Sequence, residues 1–403
     1  MTQTDLLTGG NRPSFQSDLR TVLALALVPA IGLGIARFAY ALLLPAMQSG
    51  LGWSYADAGW MTSVNAAGYM IAALSAARII AHAGAYRVMA GGVISCVIAL
   101  ILLGILDDTV LLNGAWLLAG IGGAFAFVAG GVLATHVSQR HPRHSAFLLG
   151  LFYAGSGLGI ALSGLSVPWI LAQWGESAWP SAWMVLAIIS IVLMCGVFYG
   201  VHNLPEHQKS HHTKPSILAM KWIIAGYCLF GAGYITYMTF MIAWIQSHNQ
   251  GPFFQALFWI ILGLGVAVFP WLWSGVLRSQ KHGRAFAILN GLTMVGAALP
   301  LIFSTWPILL FSAAVFGSSF FAVVASTTAY IRRNCPPSSW ASGIGAMTLA
   351  FSIGQTFGPT LTGWLSDLSG ELSAGLLASV FLLLTASLTG LVQSDLHNNQ
   401  QIN

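Results

Sequence analysis

The chain has 403 residues, 57% of them hydrophobic and only 6% charged, with a formal net charge of +5. Soluble domains carry roughly 25% charged residues, and so few charges cannot cover a water-facing surface, which excludes a soluble globular protein. A mean hydropathy of +0.78 requires a lipid-facing exterior instead.

The apolar runs are long and continuous, without the strict alternation over ~10-residue segments that marks a membrane barrel, so the spans are read as helices. The first stretch, MTQTDLLTGGNRPSFQSDLR, is polar and lacks a cleavable-signal pattern. The first apolar helix is therefore expected to double as the insertion signal. A crossing helix needs about 20 apolar residues. Charges, Gly/Pro clusters and polar dipeptides then divide the chain into twelve spans: 20–48, 55–77, 87–106, 111–138, 144–172, 181–201, 220–246, 253–277, 284–303, 306–331, 338–366 and 371–392. Connections are short except VHNLPEHQKSHHTKPSIL after span 6. The expected organisation is an N-terminal six-helix bundle over 1–201, a cytoplasmic linker over 202–219 and a C-terminal six-helix bundle over 220–403. The fold class is an all-α integral membrane protein with twelve transmembrane helices. The four cysteines are far apart and are read as small hydrophobes.

Charge tests this count. With a cytoplasmic N-terminus, the inner segments hold Arg12, Arg20, Arg78, Arg87, Arg140, Arg143, Lys209, Lys214, Lys221, Arg278, Lys281, Arg284, Arg332 and Arg333, every Lys and Arg but one of the 15. The outer loops hold only the acids Asp57, Asp107, Asp108, Glu176, Asp367 and Glu371. Positive residues stay cytoplasmic during insertion, so the partition supports the orientation, the number of helices and cytoplasmic termini. It also accounts for the basic pI of about 9.1 without a nucleic-acid partner.

The exception is Arg37, in GLGIARFAYALLLPAM. It lies about 17 residues past Arg20, ~25 Å of helix rise, which places it near the midplane. A central Arg costs at least ~2.5–3.5 kcal/mol on insertion scales. No Asp or Glu lies in the apolar interior of a span, Asp57 and Asp367 at the outer ends being nearest. Arg37 is therefore read as binding a substrate anion. The alternative is a structural or gating role in which it bonds carbonyls and Tyr or Asn side chains. Tyr40, one turn away on an i, i+3 face, is expected to share its site. Tyr234 and Tyr237 repeat that spacing on span 7. For these tyrosines helix packing is the alternative. Asn65, Gln355 and Asn290 either orient substrate or hydrogen-bond across helices.

A shift of 195 residues superimposes Gly122, Phe125, Ala134, Pro142, Ala146, Gly150 and Gly159 on Gly317, Phe320, Ala329, Pro337, Ala341, Gly345 and Gly354, a parallel repeat of the two halves. In these features, twelve helices with a basic central loop, the chain resembles the major facilitator superfamily (MFS). The loop after span 2, AARIIAHAGAYR, keeps that family's Gly84 and Arg87 but has Ala81 and His82 at its Asp-Arg places. The loop after span 8, GVLRSQKHGR, keeps Lys281, Gly283 and Arg284, with Gln280 at the Asp place. A glycine signature appears in span 11 as Gly345, Gly354, Gly358, Pro359 and Gly363. The resemblance implies that Gly84, Arg87, Gly283, Arg284, Gly354, Gly358 and Pro359 serve gating and conformational change. Together with NAAGYMIAAL at 65–74, the Arg37 segment looks closest to a bacterial group labelled YbfB/YjiJ-like.

The same resemblance implies that spans 1, 4, 7 and 10 line a central cavity flanked by spans 2, 5, 8 and 11. The polar residues fit: Arg37, Tyr40, Asn65, Tyr69, Tyr153, Tyr234, Tyr237 and Gln355 are the expected substrate-binding set. The three histidines His207, His211 and His212 sit in the linker without cysteines, and no metal site is expected there. No phosphate loop or nucleophile–base pair appears, so neither an enzyme, an ATP-driven pump nor a cofactor is expected. The expectation is a monomeric secondary transporter of the bacterial inner membrane, moving a small organic solute, a carboxylate first among them, by alternating access. Anion exchange, uniport and coupling through His136 or Asp57 are all left open, a proton or a counter-anion being the candidate coupling partner. An MFS exporter of hydrophobic or drug-like compounds and a non-transporting membrane sensor are the alternatives.

Overall fold

The structure is a computed structural model that describes residues 14–201, 218–280, 282–336 and 339–394. Most of the expected linker, with His207, His211 and His212, lies outside the described residues, as do Lys281 and Pro337. The helices follow the expected spans within a few residues. Spans 2 to 6 run Tyr55–Ala83, Ala85–Ile105, Thr109–Gln139, Ser145–Trp174 and Trp179–Gly200. Spans 7 to 12 run Lys221–Ser247, Pro252–Leu272, Arg284–Ile302, Trp306–Asn334, Trp340–Ser369 and Leu372–Val392. A short helix, Ser274–Ser279, continues span 8 toward the basic loop.

Eleven of the described helices are long and apolar enough to cross a membrane. Span 11 is also long enough at 30 residues. Its Thr348, Ser352, Gln355, Thr356, Thr360, Thr362 and Ser366 keep its hydropathy below the rest. The acids of the loops are used to start helices. Ser54 and Asp57 form a capping box on span 2, and Asp108 accepts from Leu111 N on span 4, each satisfying N–H groups that have no partner within the helix. Asp57 is thereby committed to its own helix end.

Span 1 is the irregular one. It is helical over Phe15–Pro29, π-helical over Ala30–Ile35, a turn through 36–39, and helical again over Tyr40–Leu51. Ala36 N donates to Ile31 O at 2.8 Å and Phe38 N to Leu33 O at 3.1 Å, both one residue wider than an α-helical bond. The ladder then tightens, with Ala41 N donating to Phe38 O at 3.2 Å. Pro29 opens the break and Pro45, which has no N–H, follows it. Here span 1 lies directly on span 5: a Cβ on Gly34 would be 2.6 Å from Gly159 Cα. Such π-bulges in membrane and soluble helices frequently sit at functional sites.

Two long contacts join the first six helices to the last six: span 5 packs along span 8, and span 2 along span 11. At the crossing of spans 5 and 8 the backbones meet, since a Cβ on Gly157 would lie 2.3 Å from Gly263 O. Small residues at helix interfaces permit this approach where no water drives association.

Candidate functional site

Between the halves lies a cavity of about 550 Å³, a size that suits a small organic ligand. Its lining comes from spans 2, 4, 5, 7, 8, 10 and 11, and in each span from the mid-point toward the end that carries the basic loops. The cavity thus opens at the basic end. Its walls are aromatic, including Tyr69, Phe127, Tyr153, Tyr227 and Phe351, with Arg332 and His136 toward the mouth. No Asp or Glu lines it among the described residues.

Span 1, expected to line the cavity, contributes no lining residue; Arg37 lies behind the cavity-lining Tyr69, on the broken stretch of span 1. The residue is only 9% exposed. Its guanidinium carbon lies 4.8 Å from the centroid of the cavity-lining Tyr69 ring and 6.0 Å from that of Phe38. It donates to Gln355 Oε1 on span 11 and faces the Tyr234 hydroxyl on span 7. Among the described residues no carboxylate is within ion-pair distance of it, the carboxylate of Asp18 being taken by Arg140 and His141 at 2.9 Å each. A guanidinium has five N–H donors in a planar fork, so a cation held by one amide oxygen, a tyrosine and π faces is ready for a further acceptor.

The expected binding set divides in two. Arg37, Tyr69, Tyr234 and Gln355 form one buried cluster, of which Tyr69 lines the cavity, as does Tyr153. Tyr40, Asn65 and Tyr237 do not join them. Sequence spacing alone does not bring Tyr40 to Arg37, because its side chain is taken up by neighbours on spans 2 and 4. Tyr40 packs on Trp116 and donates to Ala58 O at 3.0 Å. Asn65 donates to Trp116 O at 3.1 Å, tying span 2 to span 4. Tyr237 stacks on Phe316 with centroids 3.9 Å apart and shares a 2.8 Å hydrogen bond with Ser312. Tyr40 and Tyr237 are thus placed in helix packing, while Asn65 bonds across helices, as does Asn290, whose amide donates to Leu383 O at 2.7 Å.

The residues expected to serve gating also separate. Gly354 and Gly358 bring span 11 onto span 7 within one half, a Cβ on Gly354 lying 1.9 Å from Cys228 O. Pro359 faces the other half, its carbonyl 2.3 Å from a Cβ built on Gly59. Gly84 turns the chain into span 3 at φ +85°, a conformation that excludes most side chains. Gly283 N donates to Gln393 O at 3.1 Å, anchoring the start of span 9 to the end of span 12. Arg87 and Arg284 are exposed at the basic end.

Sequence reasoning missed Arg332 and Tyr227. Arg332 was assigned to a loop, but span 10 continues to Asn334, and Arg332 comes one turn after Thr328 on the face that lines the cavity. That i, i+4 spacing of Thr328 and Arg332 was the available signal.

A helical membrane fold with a solute-sized cavity between two halves, open at one end and closed at the other, defines a transporter of the major facilitator type. A sequence profile for the family described as "Uncharacterised MFS-type transporter YbfB" matches residues 29–390, and the chain belongs to that family. Monocarboxylate transporter 12 of Rattus norvegicus is 22% identical over 353 residues, covering 73% of this chain and 71% of that protein. A bacterial homologue of the human lysosomal transporter Spinster, inward-facing and unoccupied, is similar with a TM-score of 0.69 at 15% identity, covering 94% of this chain and 97% of that one. A mutant of the nucleoside transporter NupG gives a TM-score of 0.70 at 13% identity, covering 92% and 98%. Both structural likenesses speak to the fold.

Proposed function

We propose that the protein is a monomeric secondary transporter of the bacterial inner membrane that moves a small organic anion, with a carboxylate as the leading class, by alternating access. The observation that carries the reading is Arg37 buried behind the cavity-lining Tyr69, with a polar amide and tyrosines around it and no carboxylate partner among the described residues. A buried charge is retained at such cost when it meets a partner or a cargo. Arg332 at the mouth gives the path the same sign. The name of the rat relative, a monocarboxylate transporter, points the same way. The basic loops flank the open end, so the positive-inside rule makes this an inward-facing form. The division into bundles at 1–201 and 220–403 supplies the two bodies that rock about the site. No acid lies in the apolar interior of a span, which favours exchange against a second anion over proton symport.

The test is uptake and binding by purified protein offered organic acids, amino acids, sugars, nucleosides and a cationic dye. Organic acids are expected to bind and to be transported, and Arg37→Ala to abolish both while Arg37→Lys keeps part. A carboxylate that binds Arg37→Ala with unchanged affinity removes the site assignment, and preference for the cationic dye replaces the reading with a drug exporter.

A further inference from the structure

Behind Tyr69, at the inner end of the cavity, the buried cluster carries a second feature beside the charge. Gln355 is 1% exposed, and its Nε2 has no hydrogen-bond partner among the described residues. The amide cannot be turned to relieve this, because a guanidinium only donates and so holds Oε1 toward Arg37. A buried donor left without an acceptor is destabilising unless a ligand supplies one. A carboxylate fits this arrangement: one oxygen accepts from Arg37 and the other from Gln355 Nε2.

The ring of Phe351, on span 11 one turn toward the mouth, is stacked in a run of nearly parallel aromatics. It lies 4.7 Å from Tyr227 at 14° and 5.5 Å from Tyr234 at 9°, and Tyr234 continues to Phe320 at 5.6 Å and 16°. Phe351 and Tyr227 both line the open volume. Four residues of helix separate the ring-bearing position from the amide-bearing one, about 6 Å of rise. A short spacer between a planar ring and a carboxylate bridges that distance.

Resting on the anion reading above, the geometry points to an arylalkanoate as the cargo. Its ring stacks against Phe351 and Tyr227, and its carboxylate is held by Arg37 and by Gln355 Nε2. Phe351 sets specificity for the ring, and Gln355 binds the head group.

The test is equilibrium binding of phenylacetate, cyclohexylacetate and acetate to the purified full chain. Cyclohexylacetate matches phenylacetate in length and apolar bulk but has no flat π face, so phenylacetate is expected to bind about tenfold more tightly. Phe351→Leu should erase that preference and Phe351→Tyr restore it, while Gln355→Leu weakens both ring-bearing acids together. Equal affinity of the two ring-bearing acids for the unmodified protein overturns the aromatic assignment and leaves the carboxylate reading standing. Unchanged affinity in Gln355→Leu overturns the head-group assignment. Failure of all three acids, with a nucleoside or cationic dye binding instead, overturns this inference and the anion reading together.

Discussion

At the acidic end the two halves are closed across spans 2 and 11, whereas at the basic end they stay in contact at spans 5 and 8 and part elsewhere around the cavity. Asp367 of span 11 caps span 2 from the opposite half, its two oxygens accepting from Tyr55 N at 2.9 Å and Ala56 N at 2.8 Å. Those N–H groups open a helix and carry the positive end of its dipole. Below the cap, Ser63 and Thr360 share a 2.7 Å hydrogen bond, and the backbones touch at Gly59 and Gly363. The corresponding loops at the basic end have no such acid: Ala81, His82 and Gln280 stand where the resemblance places it, and Arg87 and Arg284 are exposed. Here the acid cap joins the halves at one end, and no such cap is present among the described residues at the other, where the cavity opens.

The comparison can be broken most directly at Gly59. A Cβ there would lie 2.3 Å from Pro359 O, so Gly59→Val prevents the acidic end from closing. Transport is expected to fall more than tenfold, with loss of hydrogen-exchange protection at the Tyr55 and Ala56 amides. Gly354→Ala is the control within one half. Its Cβ, 1.9 Å from Cys228 O, should overpack spans 7 and 11 by about 1–3 kcal/mol. The thermal midpoint drops by several degrees while exchange at Tyr55 and Ala56 follows overall stability alone. Asp367→Ala removes an exposed cap worth about 1 kcal/mol. Exchange at the same two amides should quicken about fivefold, and unchanged exchange would show that the backbone contacts alone hold this end. The smallest effect is expected from Ala81→Asp, which returns an acid to the basic end. A two- to threefold slowing of uptake from the basic side, read in oriented vesicles, would sharpen the contrast.

The helices were legible because crossing a bilayer imposes length and apolarity on every span, and the loop charges sort with them. Span 1 shows where legibility stopped. Its sequence spacing pairs Arg37 with Tyr40, yet the Tyr40 side chain is taken up by Ala58 and Trp116 on spans 2 and 4. Nothing in a one-dimensional pattern distinguishes a tyrosine that binds cargo from one that packs. Tyr237 and Tyr234, one turn apart on span 7, face Ser312 and Arg37 respectively. Arg332 erred in the other direction, for a charge near a helix end reads as a loop even when the helix carries it into a cavity wall.

The sequence by itself determined a twelve-span helical membrane protein, the sign of its two faces and the presence of one cation inside with no acid to meet it. Those are properties of composition and order, since hydropathy and charge act span by span. Tertiary structure alone decided that Gln355 and Tyr234, hundreds of residues away, are what Arg37 meets. It also decided that Asp367 locks span 2, and that the cavity opens among the basic loops. These depend on which backbones approach closely enough to touch, and that is settled only when small residues on distant helices come together.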